Sequence, residues 1–201
     1  MAPGPPVAPV APGDDSTVEP TPVVRERSAH DFADDLEAVT RLLGRVPKTA
    51  FTVVVRGAGG VPVVTRNAPF EHDGTPMPTR YWLLPSSRAS EAIGRLEAAG
   101  GVRRVETIVS AEAIAAAHAA YAADRDRDIP ADHVGPRPSG GVGGTRVGTK
   151  CLHAHYAFFL AGGLDPVGRW VYEQLEPSER DAPIVSAELF ADPEPFAAGP
   201  S

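Results

Sequence analysis

Phe51-Thr52-Val53-Val54-Val55-Arg56, Gly57-Ala58-Gly59-Gly60 and Val61-Pro62-Val63-Val64-Thr65-Arg66 form the stretch on which the fold turns. In the first six residues Phe51, Val53 and Val55 alternate with Thr52, Val54 and Arg56, the period-two pattern of a strand. The glycine-rich turn leads into a second β-branched run, and the simplest arrangement of the two is an antiparallel hairpin. Pro62 has no backbone N–H, so this second strand starts late or lies at an edge. Asn67 to Pro78 then carries Pro69, Asp73-Gly74, Pro76 and Pro78 and reads as a structured loop. Thr79 to Leu84 resumes as a strand whose Tyr81 and Trp82 point to opposite faces, implying partial cover on both. The expected sheet is a small antiparallel meander of three strands over about 51–84.

Helices flank this sheet. Ahead of it Phe32, Leu36, Val39 and Leu43 recur at spacings of three and four, with Asp31 placed as a cap and Gly44 as a stop. Behind it Ser86 or Ser87 is placed to cap a helix through Glu97 that buries Ala89, Ala92, Ile93 and Leu96, and Gly100-Gly101 ends it. A longer helical region runs from about Val105 to Asp128, with a break expected near Ser110, until Ile129-Pro130 terminates it. Ala131 to Gly148 is a glycine- and proline-rich loop. Two last helices, about Lys150 to Ala161 and Pro166 to Leu175, are separated by Gly162-Gly163, with Asp165 as N-cap and Pro166 in the first turn. Strands grouped early and helices grouped late make the class α+β rather than alternating α/β.

Composition bounds the domain. Met1 to Pro22 is dominated by Pro, Ala and Gly, and Pro177 to Ser201 is rich in Pro, Ala and acidic residues. Both ends are expected to be disordered. The expected organisation is a tail over 1–28, one domain over 29–176 and a second tail over 177–201. A net charge of −7 argues against a general nucleic-acid binder. No apolar run reaches the roughly 20 residues of a membrane span, and the N-terminal stretch lacks the apolar core of a signal peptide, so a cytoplasmic protein is expected. A single cysteine allows no internal disulfide, and any metal would need His or carboxylate ligands or a second subunit.

Lys150-Cys151-Leu152-His153-Ala154-His155 gathers that cysteine with two of the six histidines. With Thr149 as N-cap, Cys151 falls in the first helical turn, where free amides favour a thiolate and Lys150 adds positive charge. Cys151 and His155, four apart, share a helix face, while His153 points across it. The pair reads as a nucleophile with its base, as two ligands of a metal, or as a buried small residue beside a hydrogen-bonded histidine. His118, Tyr121 and Arg125 lie on one helical stripe with Ile114, and are candidate ligand contacts or the rim of a core. Arg56, Arg66 and Arg80, near strand ends, are candidate contacts for a small anion. No G-x-x-x-x-G-K-[ST], H-E-x-x-H or G-x-S-x-G pattern is present, which removes the usual P-loop, zincin and serine hydrolase readings.

Leu43-Gly44-Arg45 with Pro47, Asp73-Gly74-Thr75-Pro76-Met77-Pro78-Thr79 with Tyr81, Arg95-Leu96-Glu97-Ala98-Ala99-Gly100, Ala117-His118 with Tyr121 and Arg125, Ser139-Gly140-Gly141, Lys150-Cys151-Leu152-His153 and Asp165-Pro166-Val167-Gly168 occur in this order. From about Leu36 to Leu175 the chain therefore resembles a bacterial family, common in actinobacteria, known as domain-of-unknown-function family 501. The resemblance implies no assigned reaction. It implies a setting near genes for a septum-formation initiator and an exopolyphosphatase-like protein, and so a link to cell division, with a protein partner there, or to phosphate metabolism. It also implies further cysteines in relatives at the positions of Gly57 and Leu84, which weakens a metal site built from Cys151, His153 and His155 here. Lys150, Cys151 and His153 gain weight over His155. Two classes of function stay open: a non-enzymatic binding protein with a division partner, and a thiol-dependent enzyme or metal- or anion-binding protein. In the second, Cys151, His153 and Lys150 do the chemistry and Arg125, Tyr121, His118 and Arg80 hold a ligand.

Overall fold

The computed structural model describes residues 29–182, with side chains from residue 33 onward. The expectations for 1–28 and 183–201 lie outside the described residues. Helix α1 (Ala29–Leu43) starts two residues ahead of Asp31, which is therefore inside the helix rather than its cap. Strands β1 (Thr49–Arg56), β2 (Pro62–Glu71) and β3 (Tyr81–Leu83) form one antiparallel sheet in the order β1-β2-β3. Pro62 is the first residue of the central strand, so it does not mark an edge. The meander is as expected from the hydrophobic alternation.

β2 runs five residues further than the pattern suggested, through Asn67 to Glu71. The registers Phe51↔Asn67 and Thr49↔Glu71 leave an irregularity at Ala68-Pro69-Phe70, where no ladder bond is required of the proline nitrogen. The Thr49 hydroxyl donates to the Phe70 carbonyl at 2.8 Å, and the Met77 amide to the Pro69 carbonyl at 2.8 Å. A second irregularity, between Val53 and Val55, coincides with a change of face. Val53 joins Val39 of α1 and Leu84 in a small cluster, whereas Val55 joins the main core. Arg56 anchors α1 to the strand end, its guanidinium donating to both Asp35 oxygens at 2.8 and 2.7 Å.

The helices follow as α2 (Ser90–Ala98), α3 (Gly101–Ile108), α4 (Ala111–Asp126), α5 (Leu152–Leu160) and α6 (Pro166–Gln174). Neither serine caps α2. The Ser87 hydroxyl donates to Asp181 Oδ2 at 2.6 Å, Ser86 donates to the Pro62 carbonyl, and Ala89 stands at the N-cap. Gly100, at φ 83°, turns the chain, and Gly101 opens α3, four residues ahead of the expected helical region. The break at Ser110 is where it was expected: its hydroxyl accepts from the Ala113 amide at 3.2 Å and starts α4. Asp165 caps α6, accepting from Val167 and Gly168 at 2.9 Å each.

Helix α5, Leu-His-Ala-His-Tyr-Ala-Phe-Phe-Leu, has no polar stripe because it runs through the middle of the molecule and packs against β3, α2 and α6. Leu152, Tyr156, Phe158 and Leu160 are buried, each adding about 1.5–3 kcal/mol of burial free energy. Beyond α6 the chain continues along the helices. Residues 177–179 form a turn, and the buried Asp181 accepts from Ser87 and donates its amide to the Tyr156 hydroxyl at 3.1 Å.

Candidate functional site

Cys151 itself is the N-cap of α5, with extended backbone at φ −150° and ψ 120°, so Thr149 is not the cap and Cys151 is not in the first turn. That two-residue shift changes which histidine it meets. From the cap the thiol faces His153, and His155 is turned into the core, where its Nδ1 lies 2.7 Å from Asp165 Oδ2 and its ring 5.7 Å from that of His118. The set Cys151, His153 and His155 is therefore not brought together. Glu97, at the end of α2, takes the third place: donor atoms of Glu97, Cys151 and His153 all lie within 4.8 Å of one another.

Each group is held by a different element. Glu97 Oε1 accepts from the Leu152 amide at 2.6 Å, one of the unpaired amides at the start of α5, while Oε2 stands 3.4 Å from His153 Nδ1. His153 Nε2 is 3.0 Å from the Ser90 carbonyl, which only accepts, so Nε2 carries a proton and Nδ1 is the atom turned to Cys151 and Glu97. The contact with Cys151, reinforced by the Ser90 carbonyl and the Glu97 carboxylate against partial burial, raises the His153 pKa from its ordinary value to about 9. We expect the His153 ring to titrate by NMR near 9, and a Cys151→Ser variant to move it back toward the ordinary value. Because the fold favours the protonated ring, its share of stability is complete below about 6.5 and lost as pH rises through 9. A ring that titrated equally in both proteins would remove the assigned contact.

Cys151 and His153 border a cleft of about 370 Å³ whose other walls include Tyr81, Trp82, Leu83 and Gly143. Lys150 is exposed beside the site rather than in the wall of the cleft. Neither Gly57 nor Leu84 lines it, so the set rests on Glu97, Cys151 and His153. Three such donors, one sulfur, one nitrogen and one oxygen, are also of the kind that zinc accepts.

The stripe on α4 contacts the protein's own backbone. His118 Nδ1 accepts from the Val142 amide at 3.0 Å, and its protonated Nε2 donates to the Gly148 carbonyl at 2.9 Å. Arg125 donates to the Gly140 carbonyl at 2.8 Å and to Asp126 at 2.8 Å. The two residues thus clamp the 140–148 segment, and Gly141 passes so close that a Cβ there would meet His118 Cβ at 2.4 Å. Tyr121 accepts from the Arg80 and Tyr81 amides at 2.6 and 3.2 Å, and burial pushes its phenol up to about 12. Arg80, 1% exposed, pairs with Asp124 at 2.8 Å and Asp128 at 2.5 Å and donates to the Asn67 carbonyl. His118, Tyr121, Arg125 and Arg80 therefore spend their polar atoms on the protein's own groups, and Arg56 is engaged by Asp35 rather than converging with Arg66 and Arg80. They reach the cleft indirectly, through Gly143 of the clamped segment and through Tyr81.

Fold and site together define a small α+β protein built on a buried central helix, with a thiol, an imidazole and a carboxylate gathered at that helix's start. The chain belongs to the family described as protein of unknown function (DUF501), whose profile matches residues 53–173. That span begins inside β1, so α1 and Leu43-Gly44-Arg45 stand ahead of it. No curated protein and no solved structure matches the chain.

Among the residues the site uses, Glu97 carried a usable signal, since it stands in the Arg95–Gly100 run already singled out. The Ser90 carbonyl carried none, because every residue type supplies a carbonyl.

Proposed function

We propose that this protein is a cytoplasmic, thiol-dependent acyl-transfer or hydrolytic enzyme for a small molecule, with Cys151 as nucleophile. The observation that carries this reading is the His153 ring, tied through Nε2 to the Ser90 carbonyl so that Nδ1 is presented to the Cys151 sulfur at the wall of a cleft. With the Cys151 proton carried on Nδ1, the Sγ thiolate attacks an acyl carbon and forms the S–C bond, and Nδ1 gives that proton to the leaving group as the second bond breaks. Water then adds to the thioester while Nδ1 takes its proton, and the S–C bond breaks to return the Sγ thiolate beside the protonated ring. The amides of His153 and Ala154, second and third in α5, have no acceptor within the helix, and the Cys151 side chain does not cap them. They are the donors available to the acyl oxygen as it becomes negative. Glu97 stabilises the charged ring and fixes the first amide of α5.

The reading as a division partner is supported only by the resemblance. The exposed large apolar residues Val46, Val61, Ile108, Val134, Val147 and Leu164 fall on separate turns and element ends. We expect iodoacetamide to alkylate native Cys151 at neutral pH at least about tenfold faster than in His153→Ala, with a smaller loss in Glu97→Gln. Equal rates, or a thiol that reacts only after unfolding, would overturn the nucleophile. Stoichiometric zinc in the purified protein, lost in Glu97→Gln, would replace it with a metal centre.

A further inference from the structure

A second cleft, of about 390 Å³, adjoins the first, because Thr79 and Trp82 line both. It lies between the end of α1 and the sheet, and two stretches that the Cys151 site leaves unused meet in it: Leu43, Arg45 and Pro47 from one, Met77 and Thr79 from the other. Phe51, Met77 and Trp82 supply apolar and aromatic wall, and the charged groups are Arg45, Lys48 and Glu71. The Arg45 guanidinium lies 5.5 Å from the centre of the Trp82 ring, so an anion bound by it sits next to that ring. Lys48 Nζ is 3.9 Å from Glu71 Oε2, a long contact from a mostly exposed lysine that leaves its donors available to a ligand. Both cations come from the short connection between α1 and β1. Two cations against one carboxylate, in a chain of net charge −7, give this cleft a sign opposite to that of the protein as a whole.

We propose that this cleft is the binding subsite for an aromatic anion, whose planar ring packs on Trp82 and Phe51 and whose acidic group is held by Arg45 and Lys48. The volume suits a ligand of that size. Since Trp82 and Thr79 continue into the Cys151 cleft, the ligand extends toward Sγ, and the substrate class becomes an aromatic anion bearing an acyl group. That extension rests on the acyl-transfer reading, whereas the subsite itself does not.

Calorimetric titration of the full-chain Cys151→Ser protein with naphthalene-2-sulfonate separates the two. Neutral 2-naphthol and inorganic sulfate are titrated alongside. The expected result is saturable binding of the sulfonate, about tenfold weaker in Arg45→Gln, as for loss of one hydrogen bond to a charged group, and weaker in Lys48→Gln. Both residues are exposed, so these variants fold. The subsite is overturned if 2-naphthol or sulfate alone binds as tightly as the sulfonate, or if neither variant weakens binding. It is equally overturned if no saturable binding occurs. Such a result leaves the alkylation of Cys151 unchanged, and an unreactive Cys151 leaves this titration standing.

Discussion

Replacing Arg80 by Met is expected to lower the unfolding free energy by about 3 kcal/mol, the cost of taking a buried cation away from two half-buried carboxylates. The guanidinium is 1% exposed and pairs with Asp124 and Asp128, whose side chains are 15% and 17% exposed. Methionine fills much of the volume but takes that cation from Asp128 and leaves Asp124 with the exposed Arg127 and the neutral Tyr81 hydroxyl, which donates to it at 2.9 Å. Burial, and then the Asp124 charge, push the Tyr81 phenol well above its ordinary range, so it stays a donor throughout. Denaturant titration measures the loss, and the double variant Arg80→Met/Asp124→Asn should recover part of it because one of the two neighbouring like charges is gone. A loss under about 1 kcal/mol would show that the carboxylates do not depend on Arg80. The network joins β3 to the end of α4, and through Tyr81 it borders the Cys151 cleft, so the same variant is expected to loosen that wall.

Gly168→Ala should destabilise by about 1–3 kcal/mol or more, through overpacking where α6 crosses α5. A Cβ at Gly168 would stand 2.4 Å from the His155 carbonyl oxygen and 2.5 Å from Phe159 Cβ, so the helices must separate. Gly94, inside α2 with nothing within 4 Å of its added Cβ, is the control. There alanine should stabilise by about 0.5–1 kcal/mol, since it only removes glycine's excess freedom in the unfolded chain. Thermal melts of the two variants should move in opposite directions. Equal shifts would mean that the α5–α6 contact is looser than the distances imply.

Local chemistry made most of the fold legible. Alternation marked β1 and the start of β2, Ser110 and Asp165 marked helix starts through their own hydroxyl and carboxylate, and Gly100 marked a stop. The errors fell where a long-range contact overrode a local signal. Pro69 looked like a strand breaker, yet it sits inside an irregularity of β2, where Asn67 to Glu71 takes four steps against two in β1. Ser87 looked like a cap, yet Asp181 engages its hydroxyl from the far end of the chain. The sequence marked Lys150 to Ala161 only as a helix, while the burial of most of its side chains makes α5 the centre of the core.

The candidate site divides the same way. The sequence alone determined that chemistry-bearing residues cluster at Lys150–His155 and that no regular helix unites Cys151, His153 and His155, because side-chain direction follows from helical period. Only the tertiary structure decided which pair forms. Starting α5 at Leu152 makes Cys151 a cap, turning its thiol toward His153, and the packing of α2 against α5 delivers Glu97 and the Ser90 carbonyl. Likewise, the α4 stripe was visible as a stripe, but whether it held a ligand or the protein's own loop depended on where residues 140–148 return in space. Periodicity reports which side of an element faces inward. It carries no information about which distant backbone group or carboxylate will be waiting there, and that is set by how the elements pack.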